Sequence, residues 1–433
     1  MKSRGKTIGI LGLWHLGCVY AASFAAKGFY VVGFDFDKKV INRLQKNIPP
    51  IFEPNLEETL KKFNNKSLYF TTSKKEFFQN RDYIFITHDV PVDDNDNVQL
   101  GIINKTFAMI TKYVSNQTTI VICSQIPIGT SRRLVNLLKK NKIEDPKVIY
   151  FPENLRLGQA FESFLNPQVI VLGSDITASL NKFKNDFSFF NCPFLPMSLE
   201  SAEMVKHALN SYLATCISFS SELSDLAETC GASMLDVVKA LKSDKRISPF
   251  APINPGLGFA GGTLGRDIQS LRKLAKTKKY QPKLLNAVYS VNKERLPILV
   301  SKIHSIYPSL KGRSIGILGL TYKPNTNTLR RSMSLELINK LQYKGCKIRA
   351  FDPAIKNKVK EYTFVEISKN IKTFFKNLSL AILMTDWPEF KNIDPKKVAS
   401  LMNKKIIIDT KNFLDKETYV ENGFTILRMG ESK

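Results

Sequence analysis

Short apolar runs punctuate this chain at intervals that a strand would fill, and one spelling occurs twice: IGILGL begins at Ile8 and again at Ile315. Around the first copy, "TIGILGL" reads as a buried strand and "GCVYAASFAAKG" has helix-forming composition ending at Gly28. "YVVGFD" is strand-like again and stops at Asp35. Strand, glycine turn, helix, strand and terminal acid make a βαβ unit. "DYIFITHD", "TTIVICSQ", "KVIYFPE" and "QVIVLGS" continue the series, which predicts an α/β fold with a doubly wound parallel sheet over residues 1–195. From Ser198 to Cys230 the pattern predicts a single long helix, with Gly231 as its stop. It opens a helical middle domain over 196–305, and a helix of that length offers a dimerisation face. Around the second copy the strand–helix–strand order restarts, with "SMSLELINKLQYKG" as helix and "KIRAFDP", "LSLAILMTD" and "KKIIIDTKN" as strands. Residues 306–433 are therefore expected to form a second, smaller Rossmann-like domain, joined to the first through the long helix.

Composition changes this picture little. The 433 residues carry a formal charge of +26, and basic surfaces attract polyanions. Lysine outnumbers arginine and is spread over probable helix surfaces, without a nucleic-acid-binding signature, so no nucleic-acid partner is expected. A nucleotide-sized anion would still benefit from the field. Six cysteines lie far apart with no CxxC pair, which points to free thiols in a reducing compartment and to no metal site. The basic, apolar, small-residue start has the outline of a secretory leader. The strand–helix pattern accounts for the same residues, and no other apolar stretch is long enough to span a bilayer. The expectation is a cytoplasmic protein without a membrane partner.

Candidate chemistry comes from three places. In the glycine loop, Gly12 and Gly17 occupy the first and third positions of G-x-G-x-x-G, while Trp14 stands at the second, where backbone would approach a pyrophosphate. Asp35 ends the second strand where a ribose-binding carboxylate is expected, and an acid there favours NAD over NADP. A Rossmann-type core without a dinucleotide is the alternative. In the long helix, Lys206 and Asn210 are spaced i, i+4 and share a face. A cation and an amide so placed can hold an alkoxide as hydride leaves a carbinol carbon, although a surface lysine beside an asparagine is a common arrangement. The third place is "NPGLGFAGGTLGRD", Asn254 to Asp267, which packs five glycines around Thr263.

Taken together with "IFEPNLEETL" from Ile51, "SQIPIGT" from Ser124, "PENLRLG" from Pro152, "DKRI" from Asp244, "GLTYKPNTNTLRRS" from Gly319 and "TDWPEF" from Thr385, these stretches resemble the UDP-glucose/GDP-mannose dehydrogenase family over nearly the whole chain. The resemblance implies two successive hydride transfers from a primary alcohol of a nucleotide sugar to NAD. It also implies two Rossmann-like domains joined by a dimerising helix, and a role in polysaccharide or nucleotide-sugar biosynthesis. It places Lys206 and Asn210 on the oxyanion, Asp267 in the catalytic loop, and Glu153 beside a water or the cofactor. Arg330 is implied as a cofactor contact and Lys323 as a substrate contact. Gly12, Trp14, His15, Leu16, Gly17, Asp35, Thr87, Gln125 and Arg266 are implied on the cofactor side. Glu153, Asn154, Lys206, Asn210 and Gly258 are implied on the sugar side, with a UDP- or GDP-linked sugar as ligand.

The departures from the family pattern cluster. Thr263 stands where the family's cysteine captures the aldehyde intermediate, and Leu157 where its second glutamate serves thioester hydrolysis. Gln125 replaces a threonine, Arg266 a lysine, and Trp14 the middle loop glycine. A thiol ionises readily beside a cation, whereas an aliphatic hydroxyl needs an adjacent base; Cys216, further along the long helix, is a conceivable substitute. Arginine for lysine keeps charge but changes geometry. Groups for a first hydride transfer are retained and those for covalent capture are missing, so three readings stay open: one hydride transfer giving an aldehyde or ketone, full oxidation to a uronic acid, and a non-catalytic nucleotide-sugar or dinucleotide binder.

Overall fold

The protein was examined as a computed structural model, which describes residues 5–93, 97–152, 155, 158–260, 262–357 and 359–432. It divides into two compact units, Met1–Leu209 and Asn210–Lys433. The boundary falls inside the central helix, Leu199–Cys230, which starts one residue after the predicted position and ends before Gly231 at φ +77°. The region predicted as a middle domain, 196–305, is therefore helical but shared between the two units. Its remaining helices are Met234–Ser243, Leu264–Thr277 and Lys283–Ile306.

The first unit is built on eight strands: β1 (Thr7–Leu11), β2 (Tyr30–Phe34), β3 (Leu68–Thr71), β4 (Tyr83–Ile86), β5 (Thr119–Ile122), β6 (Val148–Tyr150), β7 (Ile170–Gly173) and β8 (Phe194–Met197). They lie in the order β3-β2-β1-β4-β5-β6-β7-β8, parallel except for the contact between β6 and β7. The second unit repeats the plan with β9 (Ser314–Leu318), β10 (Lys347–Phe351), β11 (Glu366–Ile367), β12 (Leu380–Leu383), β13 (Ile406–Asp409) and β14 (Thr425–Arg428), all parallel, in the order β11-β10-β9-β12-β13-β14. Both sheets thus contain the 3-2-1-4-5-6 arrangement whose switch point lies beside the first strand. Each IGILGL copy supplies that first strand, with β1 between β2 and β4 and β9 between β10 and β12.

Burial on both faces explains the continuous apolar spelling of the central strands. Ile8 and Ile10 belong to the core on one face of the first sheet, Leu11 and Val32 to that on the other. Ile315 and Ile317 divide from Leu318 in the same way in the second. The start of the chain that outlines a secretory leader folds as β1 and the helix His15–Ala26, the latter buried along most of its length. Among the described residues no helix is long and apolar enough to cross a membrane.

Candidate functional site

In the first unit, β1 runs into Gly12, whose backbone sits at φ +102°, and the helix His15–Ala26 begins three residues later. The Gly12 amide continues the ladder by donating to the Phe34 carbonyl at 2.9 Å. Gly17 fits where no side chain could: a Cβ there would lie 1.8 Å from the Gly12 carbonyl oxygen. Packing at that distance brings the helix N-terminus up to the loop. That terminus has no side-chain cap and no acid in its first turn, so its N–H groups and the positive end of its dipole are presented to an anion. Trp14 does not fill this space; it is 46% exposed. His15 and Leu16 are half-buried in the first helical turn.

Asp35 ends β2 as expected. Its carboxylate accepts from the Leu13 amide at 2.8 Å and the Asp37 amide at 2.9 Å, tying it to the glycine loop while it stays half-exposed. A dinucleotide fits this arrangement, with its pyrophosphate at the uncapped helix end and a ribose at Asp35. Thr87 stands behind the loop. It is fully buried under the loop, and its hydroxyl donates to the Gly12 carbonyl at 2.8 Å, so it supports the turn from behind. Gln125 follows β5, half-buried.

Two residues that the sequence reading passed over belong to this neighbourhood. His88 packs directly on the loop, its Nδ1 2.5 Å from where a Gly12 Cβ would stand. Its ring stacks on Phe36, over which Lys105 holds its ammonium at 4.0 Å. Burial pushes the His88 imidazole down to about 4, against the opposing pull of Asp35, with Lys105 lowering it further. Glu53, 3% exposed, accepts from the His15 ring at 2.8 Å. Glu53 lies inside "IFEPNLEETL", and a lone acid amid apolar residues ahead of a proline was the available signal. Glu153, Asn154 and Leu157 lie outside the described residues, as does Gly261 of the glycine-rich loop.

The central helix carries two kinds of polar residue in its first half. Glu203 and His207 turn into the first unit: Glu203 accepts from the Gly129 and Ser131 amides at the start of the helix Thr130–Lys140, and His207 bonds the Ile126 carbonyl at 2.9 Å. Burial raises the Glu203 carboxyl, against those backbone hydrogen bonds. Lys206 is half-buried on the same helix, one turn before Asn210.

In the second unit, Asn210 donates through its side-chain amide to Asp267, which is 0% exposed. An amide carries two N–H donors, so one remains for a ligand. Thr263 caps the helix Leu264–Thr277 one turn before Asp267, and the Asp267 amide bonds back to the Thr263 carbonyl. Thr263 itself is exposed, and among the described residues its hydroxyl has no hydrogen-bond partner. Arg266 is half-buried on that helix. Cys216 packs with Met234, Val238 and Ile253, beside Tyr212, in a small apolar cluster that does not include Thr263.

The glycine-rich loop is held rather than loose. Asn292, on the helix Lys283–Ile306, accepts from the Phe259 amide at 2.8 Å and donates to its carbonyl at 3.1 Å. Asn412 donates to the Pro255 carbonyl. Gly258, at φ +77°, lies so close to Asn292 and Arg295 that a Cβ would stand 2.3 Å and 2.9 Å from them. Its missing side chain thus serves packing against a helix. Lys323 and Arg330 both lie on the long loop after β9, half-buried and exposed respectively. Among the described residues no cluster of acids, histidines or cysteines is placed to hold a metal ion.

Comparison with known proteins bears on this geometry. Residues 6–190 match the NAD binding domain of the UDP-glucose/GDP-mannose dehydrogenase family, 200–294 its central domain and 316–416 its UDP binding domain. The UDP-glucose 6-dehydrogenase of Rickettsia prowazekii is 33% identical, over 98% of this chain and 99% of its own length. The UDP-glucose 6-dehydrogenase TuaD of Bacillus subtilis is 30% identical over 98% and 93%. A solved UDP-glucose dehydrogenase from the hyperthermophilic archaeon Pyrobaculum islandicum superposes with a TM-score of 0.89 at 26% identity, covering 100% of this chain and 99% of that one. An uncapped helix end beside an acid at the end of β2, an amide paired to a buried carboxylate and this agreement along the whole chain lead to one assignment: the chain belongs to the UDP-glucose/GDP-mannose dehydrogenase family and is an NAD-dependent nucleotide-sugar dehydrogenase.

Proposed function

We propose that this chain oxidises a CH–OH group of a UDP-linked sugar and completes one hydride transfer per sugar bound. The observation that carries the second half of this reading is Thr263, exposed at a helix cap and, among the described residues, without a hydrogen-bond partner for its hydroxyl. An unactivated aliphatic hydroxyl is a weak nucleophile, and Cys216 is occupied in an apolar cluster. Bound NAD supplies the hydride acceptor. The alcohol would give its hydride to the nicotinamide and its hydroxyl proton to water as it becomes a carbonyl, with Lys206 and Asn210 holding the oxygen as negative charge develops on it. The buried Asp267 orients the Asn210 amide so that this donor is in place before reaction, which is where electrostatic stabilisation gains most. The UDP link is supported by the match of residues 316–416 to a UDP binding domain.

Full oxidation to a uronic acid is the second reading, favoured by the relatives' activity. Without a thioester it requires the aldehyde to add water and the hydrate to lose a second hydride. The proposed assembly is a homodimer through the central helix, where Tyr212, Phe219 and Leu226 are exposed at seven-residue intervals along one stripe. A cytoplasmic place in nucleotide-sugar supply for polysaccharides goes with six cysteines that are all free.

Counting NADH formed per UDP-sugar consumed tests the reading. One supports it, two supports the acid-forming enzyme, and none with any nucleotide sugar supports a binding protein. Lys206→Ala is expected to lower kcat by about 10²- to 10³-fold, the usual cost of one oxyanion donor. Thr263→Ala is expected to keep most of the activity.

A further inference from the structure

Glu53 is a buried carboxylate, 3% exposed, with three donors. Its Oε2 accepts from the His15 ring at 2.8 Å and from the Gly158 amide at 2.9 Å, and its Oε1 accepts from the Ala160 amide at 2.8 Å. His15 is the first residue of the helix whose uncapped end would receive the dinucleotide. Gly158 closes the "PENLRLG" stretch, and Ala160 opens the short helix Ala160–Leu165 behind it. One side chain therefore joins the cofactor loop to the backbone that follows a stretch implied on the sugar side. Burying a carboxylate is costly unless its lone pairs are filled, and here both oxygens are. The carboxylate accepts from the imidazole, which places the ring Nε2–H on Glu53.

We propose that Glu53 is a positioning residue that couples the two ligands, so that dinucleotide and nucleotide sugar each raise the chain's affinity for the other. Setting His15 at the helix end and setting the 158–160 backbone are one event, because both depend on the same carboxylate. Binding that orders one of them reduces the ordering left for the other, and the linkage must run equally in both directions. The inference rests on the reading that the chain binds NAD and a UDP-sugar.

The test is a binding cycle on the full-length protein: the Kd of NADH by titration calorimetry with and without UDP-glucose, and the Kd of UDP-glucose with and without NADH. In the wild type each ligand is expected to tighten the other by about tenfold, within the usual range of such couplings. Glu53→Gln turns an acceptor into a donor that faces either His15 or a backbone amide, and is expected to reduce the coupling to less than about twofold. His15→Ala leaves Glu53 and both amides in place and is expected to do the same, which keeps the test intact if Glu53→Gln fails to fold. His15→Gln retains an N–H for Glu53 and is expected to restore much of the coupling, a rescue that a purely structural role would not predict. Equal coupling in wild type and His15→Ala, or no coupling in a wild type that binds both ligands, overturns the proposal. A wild type that binds neither ligand overturns the functional reading on which it stands.

Discussion

The two IGILGL copies begin the same fold and end in opposite kinds of loop. In each, a glycine at positive φ follows the first strand, φ +102° at Gly12 and +92° at Gly319, and its amide donates to the end of the second strand. In each, an aspartate ends that second strand. Asp35 has two backbone donors and stays half-exposed. Asp352 is buried and accepts from the Leu320 and Thr321 amides, the Thr321 hydroxyl, the Ala354 amide and the Trp387 indole. In the first copy the helix starts three residues after the glycine; in the second it starts at Met333, and the Ser332 and Ser334 hydroxyls return to the Leu320 and Gly319 carbonyls. The first loop is cut short, whereas the second is lengthened and closed on itself, with Lys323 and Arg330 on the extra length. An acid at the end of the second strand is thus no sign of ribose binding by itself: its free lone pairs decide.

The sharpest way to break this contrast is to remove each aspartate. Asp352→Ala leaves several buried donors without an acceptor and is expected to cost about 3–5 kcal/mol, a large fall in thermal midpoint. Asp35→Ala is expected to cost about 1 kcal/mol in stability while weakening NADH binding by roughly tenfold and narrowing its preference over NADPH. Equal destabilisation by the two would erase the distinction. The next effect is Gly17→Ala, whose methyl meets the Gly12 carbonyl, expected to cost about 3 kcal/mol and to abolish NADH binding. Ser334→Ala, which loses one hydrogen bond to Gly319 in the closed copy, is expected to cost about 1 kcal/mol.

A pH-dependent effect concerns the residues that pack on the two glycines, His88 on Gly12 and Thr385 on Gly319. Folding lowers the His88 imidazole to about 4, from about 6.5 in an unfolded chain. The folded state therefore binds the proton less readily. Its stability is whole above pH 6.5, declines as pH falls toward 4, and loses up to about 3 kcal/mol over that window. Thr385 does not titrate. Melting curves across this range should show the acid loss in the wild type and a reduced loss in His88→Thr; an unchanged loss would remove His88 from the account.

The central strands of both sheets and the whole length of the long helix were legible from apolar runs and a terminal glycine. The strands that the pattern did not reveal, β3, β8, β11 and β14, are the four sheet edges. They leave little to read: β8 is FLPM, apolar but interrupted by proline and with no fully buried residue, and β11 has two residues. The helical pairing of Lys206 with Asn210 was visible from its fixed spacing. Glu53, His88 and Asn292 were not, because each acts across a separation in sequence that only folding closes, as between Asn292 and Phe259.

The two tryptophans fall on opposite sides of the comparison. Trp14 stands exposed beside the open loop, and Trp387 is buried with its indole N–H bonded to the closed one. Indole emission overlaps the absorption of reduced nicotinamide, so Trp14 is a native optical probe of cofactor occupancy. Trp387, shielded from solvent, reports by its emission colour whether the second sheet is intact. With one tryptophan replaced at a time, the same sample can be read for ligand in one half and for folding in the other, without a label.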